Sequence, residues 1–267
     1  MSAEDTPPPT RGRESQHRPG ATSGTPRAPA VDPTADTVGL RTAGQTTGDA
    51  GGGVERTAAA LKPRLRGWLH TGMSPLALAG GVVLVAVSRS AASVAACSVF
   101  AVSALLLFGT SGIYHRGTWG PRGEAVLRRL DHANIFLIIA GTYTPLAVLL
   151  LPEDQQVVLL SMVWAGALAG VAFRILWIGA PRWLYTPCYI ALGWVAVFYL
   201  PDFARTGGTA VVTLIIAGGL LYTVGAVVYG LQRPDPSPSW FGFHEVFHTF
   251  TIAAFTAHYT AILLAVP

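Results

Sequence analysis

The sequence predicts an all-α membrane protein: a bundle of seven transmembrane helices with a cytoplasmic N-terminus and an extracytoplasmic C-terminus. Three observations lead to this prediction. Apolar residues make up 51% of the chain and charged residues 12%, whereas soluble domains carry about a quarter charged residues. Apolar runs long enough to cross a bilayer repeat along the chain. Lys and Arg are concentrated in alternate connections between these runs.

The first 60 residues differ in composition from the rest of the chain. They are rich in Pro, Gly, Thr and Ala, and residues 1–56 contain no Trp, Tyr or Phe. Such a segment cannot bury enough apolar surface to offset the entropy cost of ordering it. We therefore expect a disordered cytoplasmic tail over residues 1–60 and a seven-span domain over residues 61–267.

Seven apolar runs make up this domain, each near the roughly 20 residues that cross a hydrocarbon core as a helix. Short breaks with Pro, Gly or charged residues separate them, so consecutive helices should pack as antiparallel neighbours. The predicted spans are residues 72–88, 93–114, 131–151, 157–177, 183–200, 209–231 and 243–265.

The predicted orientation rests on positive charge, because connections rich in Lys and Arg stay in the cytoplasm. Such residues precede the first span and occupy the second, fourth and sixth connections: Lys62, Arg64, Arg66, Arg116, Arg122, Arg128, Arg129, Arg182 and Arg233. The opposite connections hold only Arg89 and Arg205. The small net charge of +4 reflects this orientation, and no nucleic-acid partner is expected. Arg174, near the cytoplasmic end of the fourth span, is expected to snorkel to the membrane surface.

Ionisable residues gather at three helix ends that should share one membrane depth. The second span ends with Ser111 and His115 one turn apart, the third opens with Asp131, and the seventh opens with His244 and His248. Imidazole is a common zinc ligand, and three protein ligands with an open position are typical of a catalytic site. The pattern therefore predicts a three-histidine zinc site with Asp131 and Ser111 beside it. Buried hydrogen-bonding histidines are the alternative.

Other polar residues are expected to play lesser roles. His258 should lie about 20 Å from His244 along the same helix, too far to share a metal, so an interior hydrogen bond is expected. Glu245 completes a His-Glu-x-x-His string, in which Glu is the general base of zinc proteases. Its offset from the two histidines favours a structural role instead. His70 and His132 are expected at the membrane interface.

Three segments resemble the bacterial hemolysin III family, which is similar to the progestin and adipoQ receptors and, more distantly, to alkaline ceramidases. They are Ser111-x-x-x-His115, the stretch 130–145 that begins Leu-Asp-His-Ala-Asn, and His244-Glu-Val-Phe-His248 with His258 downstream. The resemblance covers the chain from about Leu61 onward. It implies zinc ligands at His115, His244 and His248, with Ser111 and Asp131 beside them.

Several functions are compatible with such a protein of the cell membrane. The first is a zinc-dependent, ceramidase-like hydrolase of lipid amides or esters, with membrane lipids as partners and Asp131 and Ser111 as catalytic residues. The second is a receptor-like sensor with structural zinc. A pore-forming hemolysin would require a continuous polar path, whereas the outer halves of the spans are almost entirely apolar. A zinc protease would rest on Glu245 alone.

Overall fold

The computed structural model describes residues 63–177 and 179–267, and the predicted tail over residues 1–60 lies outside them. The described residues form a helical bundle with one isolated bridge between Ser237 and Phe241. The helices are α1 (Trp68–Val87), α2 (Ala91–Arg116), α3 (Pro121–Leu150), α4 (Glu153–Leu176), α5 (Arg182–Gly193), a 3₁₀ helix (Trp194–Tyr199), α6 (Leu200–Leu231) and α7 (Phe243–Ala265). The prediction of an all-α membrane protein is confirmed.

The helix starts follow local capping rules. Ser90 and Ser93 form a capping box before α2, each side chain accepting a hydrogen bond from the other's backbone N–H. Pro121 takes the first position of α3, where a missing N–H costs nothing. As a result α3 begins well before the predicted span at residue 131. Arg122, Arg128 and Arg129 therefore lie on the first turns of a helix and not in a loop.

The packing follows chain order. The helix pairs α1 and α2, α2 and α3, α3 and α4, and α6 and α7 pack together, and α1 also contacts α7. Phe100 and Phe108 of α2 meet Phe255 of α7, with ring centroids 5.3 and 5.0 Å apart. On the outside, Leu176 and Phe198 are 85% and 81% exposed. Apolar side chains this open to the surroundings suit a lipid-facing surface.

Six helical stretches in the described residues are long and apolar enough to cross a membrane. Five coincide with predicted spans. The remaining stretch, Arg182–Leu231, holds 50 residues where the sequence predicts two spans. A straight helix of that length would extend about 75 Å, more than twice the thickness of a hydrocarbon core.

Hydrogen bonds show that this stretch folds back on itself near Gly208. Trp194 Nε1 donates to Thr223 Oγ1 at 3.0 Å, and the hydroxyls of Tyr185 and Tyr229 lie 3.1 Å apart. In each pair, one residue precedes Gly208 by about as many positions as the other follows it. At Gly208 itself the backbone leaves helical geometry, with φ 75° and ψ 177°. The chain before and after Gly208 is therefore antiparallel. Seven membrane crossings and the orientation of the termini stay predictions.

The prediction that Arg174 snorkels to the surface is wrong. Its side chain lies inside the bundle, with the residue 2% exposed. The guanidinium carbon lies 4.2 Å from the ring centroid of Tyr185, so a cation–π contact stabilises the charge. Nε and Nη1 have no hydrogen-bond partner among the described residues.

Candidate metal centre and cavity

The end of α2 and the start of α7 bring three histidines together. His115, His244 and His248 each offer a nitrogen, and these nitrogens lie within 4.8 Å of one another. The Nε2 atoms of His115 and His244 are 3.1 Å apart. Two nitrogens on one tetrahedral zinc ion are separated by about 3.3 Å, given Zn–N bonds near 2.05 Å. The cluster predicted from the sequence is therefore present, with a spacing that can hold a metal ion.

The first turn of α7 is fixed by Glu245. Its Oε2 accepts a hydrogen bond from the backbone N–H of Gly242 at 2.9 Å, and its Oε1 forms an ion pair with Arg66. Glu245 is fully buried, and both of its oxygens have partners outside the histidine cluster. The carboxylate thus caps α7 and connects it to the segment before α1, in agreement with the structural role favoured from the sequence.

Asp131 and Ser111 lie beside the histidines. Asp131 Oδ2 is 3.6 Å from His115 Nε2. The hydroxyl oxygen of Ser111 is buried and has no hydrogen-bond partner among the described residues. Both residues line the cavity that His244 and His248 also line. The structure therefore supplies a carboxylate and a free hydroxyl next to the cluster, and their catalytic roles stay predictions.

His70 belongs to the site, although the sequence predicted an interfacial position. It is 2% exposed and stacks on His248, with ring centroids 3.6 Å apart and planes 10° from parallel. Neither of its ring nitrogens has a partner among the described residues. The helix begins at Trp68 and not at the predicted residue 72, which places His70 inside α1. Treating Trp68 as the first interfacial residue of the span would have placed His70 within the helix, although not against His248.

His132 also lines the cavity as a partly buried residue, and its position at the membrane interface stays a prediction. Its Nδ1 lies 2.7 Å from the carbonyl oxygen of Arg128, and its Nε2 lies 3.1 Å from the hydroxyl of Tyr229. The ring of Tyr229 lies 6.0 Å from that of His244. Hydrogen bonding thus connects α3 and α6 immediately behind the histidine cluster.

A cavity of about 140 Å³ extends from the cluster into the bundle. Its wall is mostly apolar and includes Ile138, Leu146, Ile190, Val197, Leu200 and Ile215. At a distance from the cluster it reaches His258, whose Nε2 lies 3.1 Å from the carbonyl oxygen of Ile215. His258 lies outside the group of three histidines that can hold a metal, and it makes the interior hydrogen bond expected for it.

Comparison of the sequence with known proteins assigns the chain to a family. A sequence model described as "Haemolysin-III related" matches residues 58–259. "Hemolysin-3" of Bacillus cereus is 30% identical over 178 residues, covering 66% of this chain and 78% of that protein. "Hemolysin-3 homolog" of Bacillus subtilis (strain 168) is 31% identical over 183 residues, covering 68% and 82%.

These relatives and the six apolar helical stretches identify a multi-pass protein of the cell membrane. The match includes the end of α2, the middle of α3 and the start of α7, which contain the three segments that resemble this family. The family in turn is part of the superfamily of progestin and adipoQ receptors. The chain belongs to the hemolysin III family.

Proposed function

We propose that this protein is a zinc-dependent hydrolase that cleaves an amide or ester bond of a membrane lipid. The observation that carries the proposal is the position of the histidine cluster at one end of a mostly apolar cavity. An apolar cavity within a helix bundle suits an acyl chain, and the cluster lies where the polar end of that chain would arrive.

The residues fit zinc by number, type and spacing. Three imidazoles leave a fourth tetrahedral position open, as in catalytic zinc sites. Zinc bound there would supply Lewis-acid activation of the substrate carbonyl and of water. The carboxylate of Asp131, 3.6 Å from His115, and the unpaired hydroxyl of Ser111 line the same cavity as His244 and His248 and would be available to a metal-bound water or substrate. Outer groups of this kind orient the ligands and tune a metal site.

The chain's own residues then have distinct tasks. Asp131 accepts the proton of the attacking water and returns it to the leaving amine or alcohol. Ser111 donates a hydrogen bond to the oxygen of the substrate or of the water. The apolar wall holds the acyl chain and excludes bulk water from the reacting end. His70, stacked on His248, restrains the rotation of that ligand.

Two further readings compete with this one. The receptor-like members of the superfamily favour a sensor in which the metal is structural. The names of the Bacillus relatives, "Hemolysin-3" and "Hemolysin-3 homolog", favour membrane perturbation. The unpaired hydroxyl and the nearby carboxylate, which a purely structural site does not need, support the hydrolase over both.

The first test is metal content. Purified full-length protein should carry stoichiometric zinc, and replacing His115, His244 or His248 with Ala should lower its occupancy markedly because only two ligands remain. His258→Ala is the matched control, since that histidine lies in the same helix but outside the cluster, and it should retain zinc. Equal loss in the control, measured by elemental analysis, would show that unfolding and not ligand removal explains the result.

The second test is turnover by variants that still hold zinc. Asp131→Asn keeps the shape of the side chain but removes the proton acceptor, so hydrolysis of ceramides or glycerol esters should fall by about 10²–10⁴-fold. Ser111→Ala should cost about tenfold. Full activity of Asp131→Asn on a confirmed substrate would contradict the mechanism. Zinc-loaded protein that turns over no lipid in such a panel would instead favour the sensor.

A further inference from the structure

The cavity contains a second polar position, distant from the histidine cluster, at which α6 and α7 face each other. Tyr222 of α6 and His258 of α7 both line the cavity, with ring centroids 5.6 Å apart. The hydroxyl oxygen of Tyr222 and Nδ1 of His258 are each buried, and neither has a hydrogen-bond partner among the described residues. Unpaired polar atoms of this kind are costly in an apolar wall.

The hydrogen bonds of His258 define what its free nitrogen can do. Its Nε2 lies 3.1 Å from the carbonyl oxygen of Ile215, and a carbonyl can only accept. Nε2 therefore carries the proton, and in the neutral ring Nδ1 is a bare acceptor. Tyr222 contributes a hydroxyl that can donate. The pair thus offers one acceptor and one donor to a group placed between them.

Nearby polar side chains do not share this property. The hydroxyls of Thr142, Thr223 and Thr251 also belong to cavity-lining residues, but each donates to a carbonyl of its own helix, at 2.7, 2.8 and 3.0 Å. They add little polarity to the wall.

Ser111 and Thr186 also have buried hydroxyls without a partner, but they line the part of the cavity next to the cluster: Ser111 precedes His115 by one turn, and Thr186 follows Tyr185, whose hydroxyl contacts Tyr229 beside His244. Tyr222 and His258 differ because their unpaired polar atoms lie away from the cluster.

We infer that Tyr222 and His258 form a subsite for a hydroxyl group carried on the hydrocarbon chain of the lipid. A hydroxyl can accept from Tyr222 and donate to Nδ1 of His258 at the same time, whereas a ketone cannot donate and a methylene can do neither. The inference rests on the proposed function for the class of ligand, an acyl lipid, and adds a hydroxylated chain as the preferred kind.

Distance along α7 locates that hydroxyl. His258 follows His248 by ten residues, which corresponds to about 15 Å of helix rise. This is about half the thickness of a bilayer's hydrocarbon core, or the depth of one leaflet. A chain whose polar end lies at the histidine cluster therefore presents its distal half, and not its first carbons, to Tyr222 and His258.

Binding of simple fatty acids tests the subsite without any turnover. The probes are palmitate and palmitate hydroxylated at its terminal carbon or near its middle, each added to full-length zinc-loaded protein in nanodiscs. One of the hydroxylated chains should bind about tenfold more tightly than palmitate, as two modest hydrogen bonds imply. Tyr222→Phe removes one hydroxyl and should abolish this preference while leaving the affinity for palmitate unchanged.

Two variants complete the experiment. Tyr259→Phe is the matched control, since Tyr259 neighbours His258 but its hydroxyl donates to the carbonyl of Gly80 outside the cavity. It should keep the preference. His258→Phe should lose it, which tests the acceptor should Tyr222→Phe fold poorly.

The outcomes separate this inference from the proposed hydrolase. Equal binding of plain and hydroxylated chains to the wild-type protein overturns the subsite and shows that the two atoms serve at most a bound water. A preference that survives in both Tyr222→Phe and His258→Phe also overturns it. A preference lost in those variants, together with no turnover of any lipid, supports the subsite and contradicts the hydrolase.

Discussion

Glu245 shows how far a local motif can mislead at the scale of one residue. In its sequence context it completes the string of a zinc protease. In the structure its two oxygens are engaged by the N–H of Gly242 and by Arg66. A carboxylate held in this way caps a helix start and neutralises a cation, so it is not free to accept a proton from water at the histidine cluster.

This role leads to a prediction about stability. Glu245→Ala leaves Arg66 without its partner and should lower the free energy of unfolding by about 1–3 kcal/mol, less than for a fully buried pair because the side chain of Arg66 is 19% exposed. Glu153→Ala is a suitable control because Glu153 is an exposed acidic residue in the first turn of α4, and it should change stability far less. Unfolding titrations in detergent measure both.

Zinc content and lipid turnover of a second variant test whether Glu245 has a structural role or acts as the general base. Glu245→Gln keeps an oxygen for the N–H of Gly242, so it should retain zinc and most hydrolysis. If Glu245→Gln instead folds and binds zinc normally but loses turnover as strongly as Asp131→Asn is expected to, the carboxylate is the general base and the protease-like reading is correct.

Residue spacing predicted the histidine cluster with Asp131 and Ser111 beside it, but not the other residues that surround it. His244 and His248 are one turn apart on any helix, and short connections bring their end of α7 to the depth of His115. His70 and Arg174 were misplaced because their positions depend on where α1 starts and on how α4 is rotated against α5. Helix rotation is determined by side-chain packing between helices, which a single sequence does not display.

At the scale of helices, the lengths of the apolar runs predicted which helices exist more accurately than where each helix begins and ends. Pro121 extends α3 far beyond the apolar run, because a proline at the first position followed by Glu124 is a good helix start whether or not lipid surrounds it. The predicted spans 183–200 and 209–231 put the reversal within Arg182–Leu231 at residues 201–208, a segment that opens with Pro201 and Asp202. In the structure the break in helical geometry comes at Gly208, and helix continues through Pro201.

Gly208 makes this reversal testable. Its combination of positive φ with ψ near 180° is accessible almost only to glycine. Nothing lies within 4 Å of an added Cβ, so Gly208→Ala should destabilise the protein through backbone strain alone, by about 1–3 kcal/mol. Gly109→Ala is the control, because an added Cβ there also meets nothing within 4 Å and Gly109 lies within helix α2. Its stability should stay unchanged or rise slightly.

Thermal unfolding in detergent distinguishes the two glycines. A Gly208→Ala protein as stable as the wild type would mean that the segment around residue 208 adopts another backbone conformation in the membrane. The antiparallel arrangement would then rest only on the contacts of Tyr185 with Tyr229 and of Trp194 with Thr223.

For the whole molecule, the important feature is a cavity that no single helix contains. Its wall draws on α1 through α3 and on α5 through α7. The sequence predicted which helix ends meet, because charge and connection length restrict topology. It could not predict the space between the helices, since a cavity is the volume left after side chains of several helices have packed. The pairing of Tyr222 with His258 was therefore out of reach.

The last prediction concerns the number of crossings, on which the position of the metal site relative to the cytoplasm depends. With the N-terminus inside and seven crossings, a reporter fused after Pro267 should be extracytoplasmic, one inserted between Gly117 and Gly120 cytoplasmic, and one inserted at Gly208 extracytoplasmic. If Arg182–Leu231 crossed only once, the even number of spans would return the C-terminal reporter to the cytoplasm.

Paired alkaline phosphatase and green fluorescent protein fusions measure each position, because the first is active only outside and the second fluoresces only inside. Finding the Gly117–Gly120 and Pro267 reporters on the same side would contradict the seven-span topology. Finding both inverted together would keep seven spans but place the histidine cluster at the outer face.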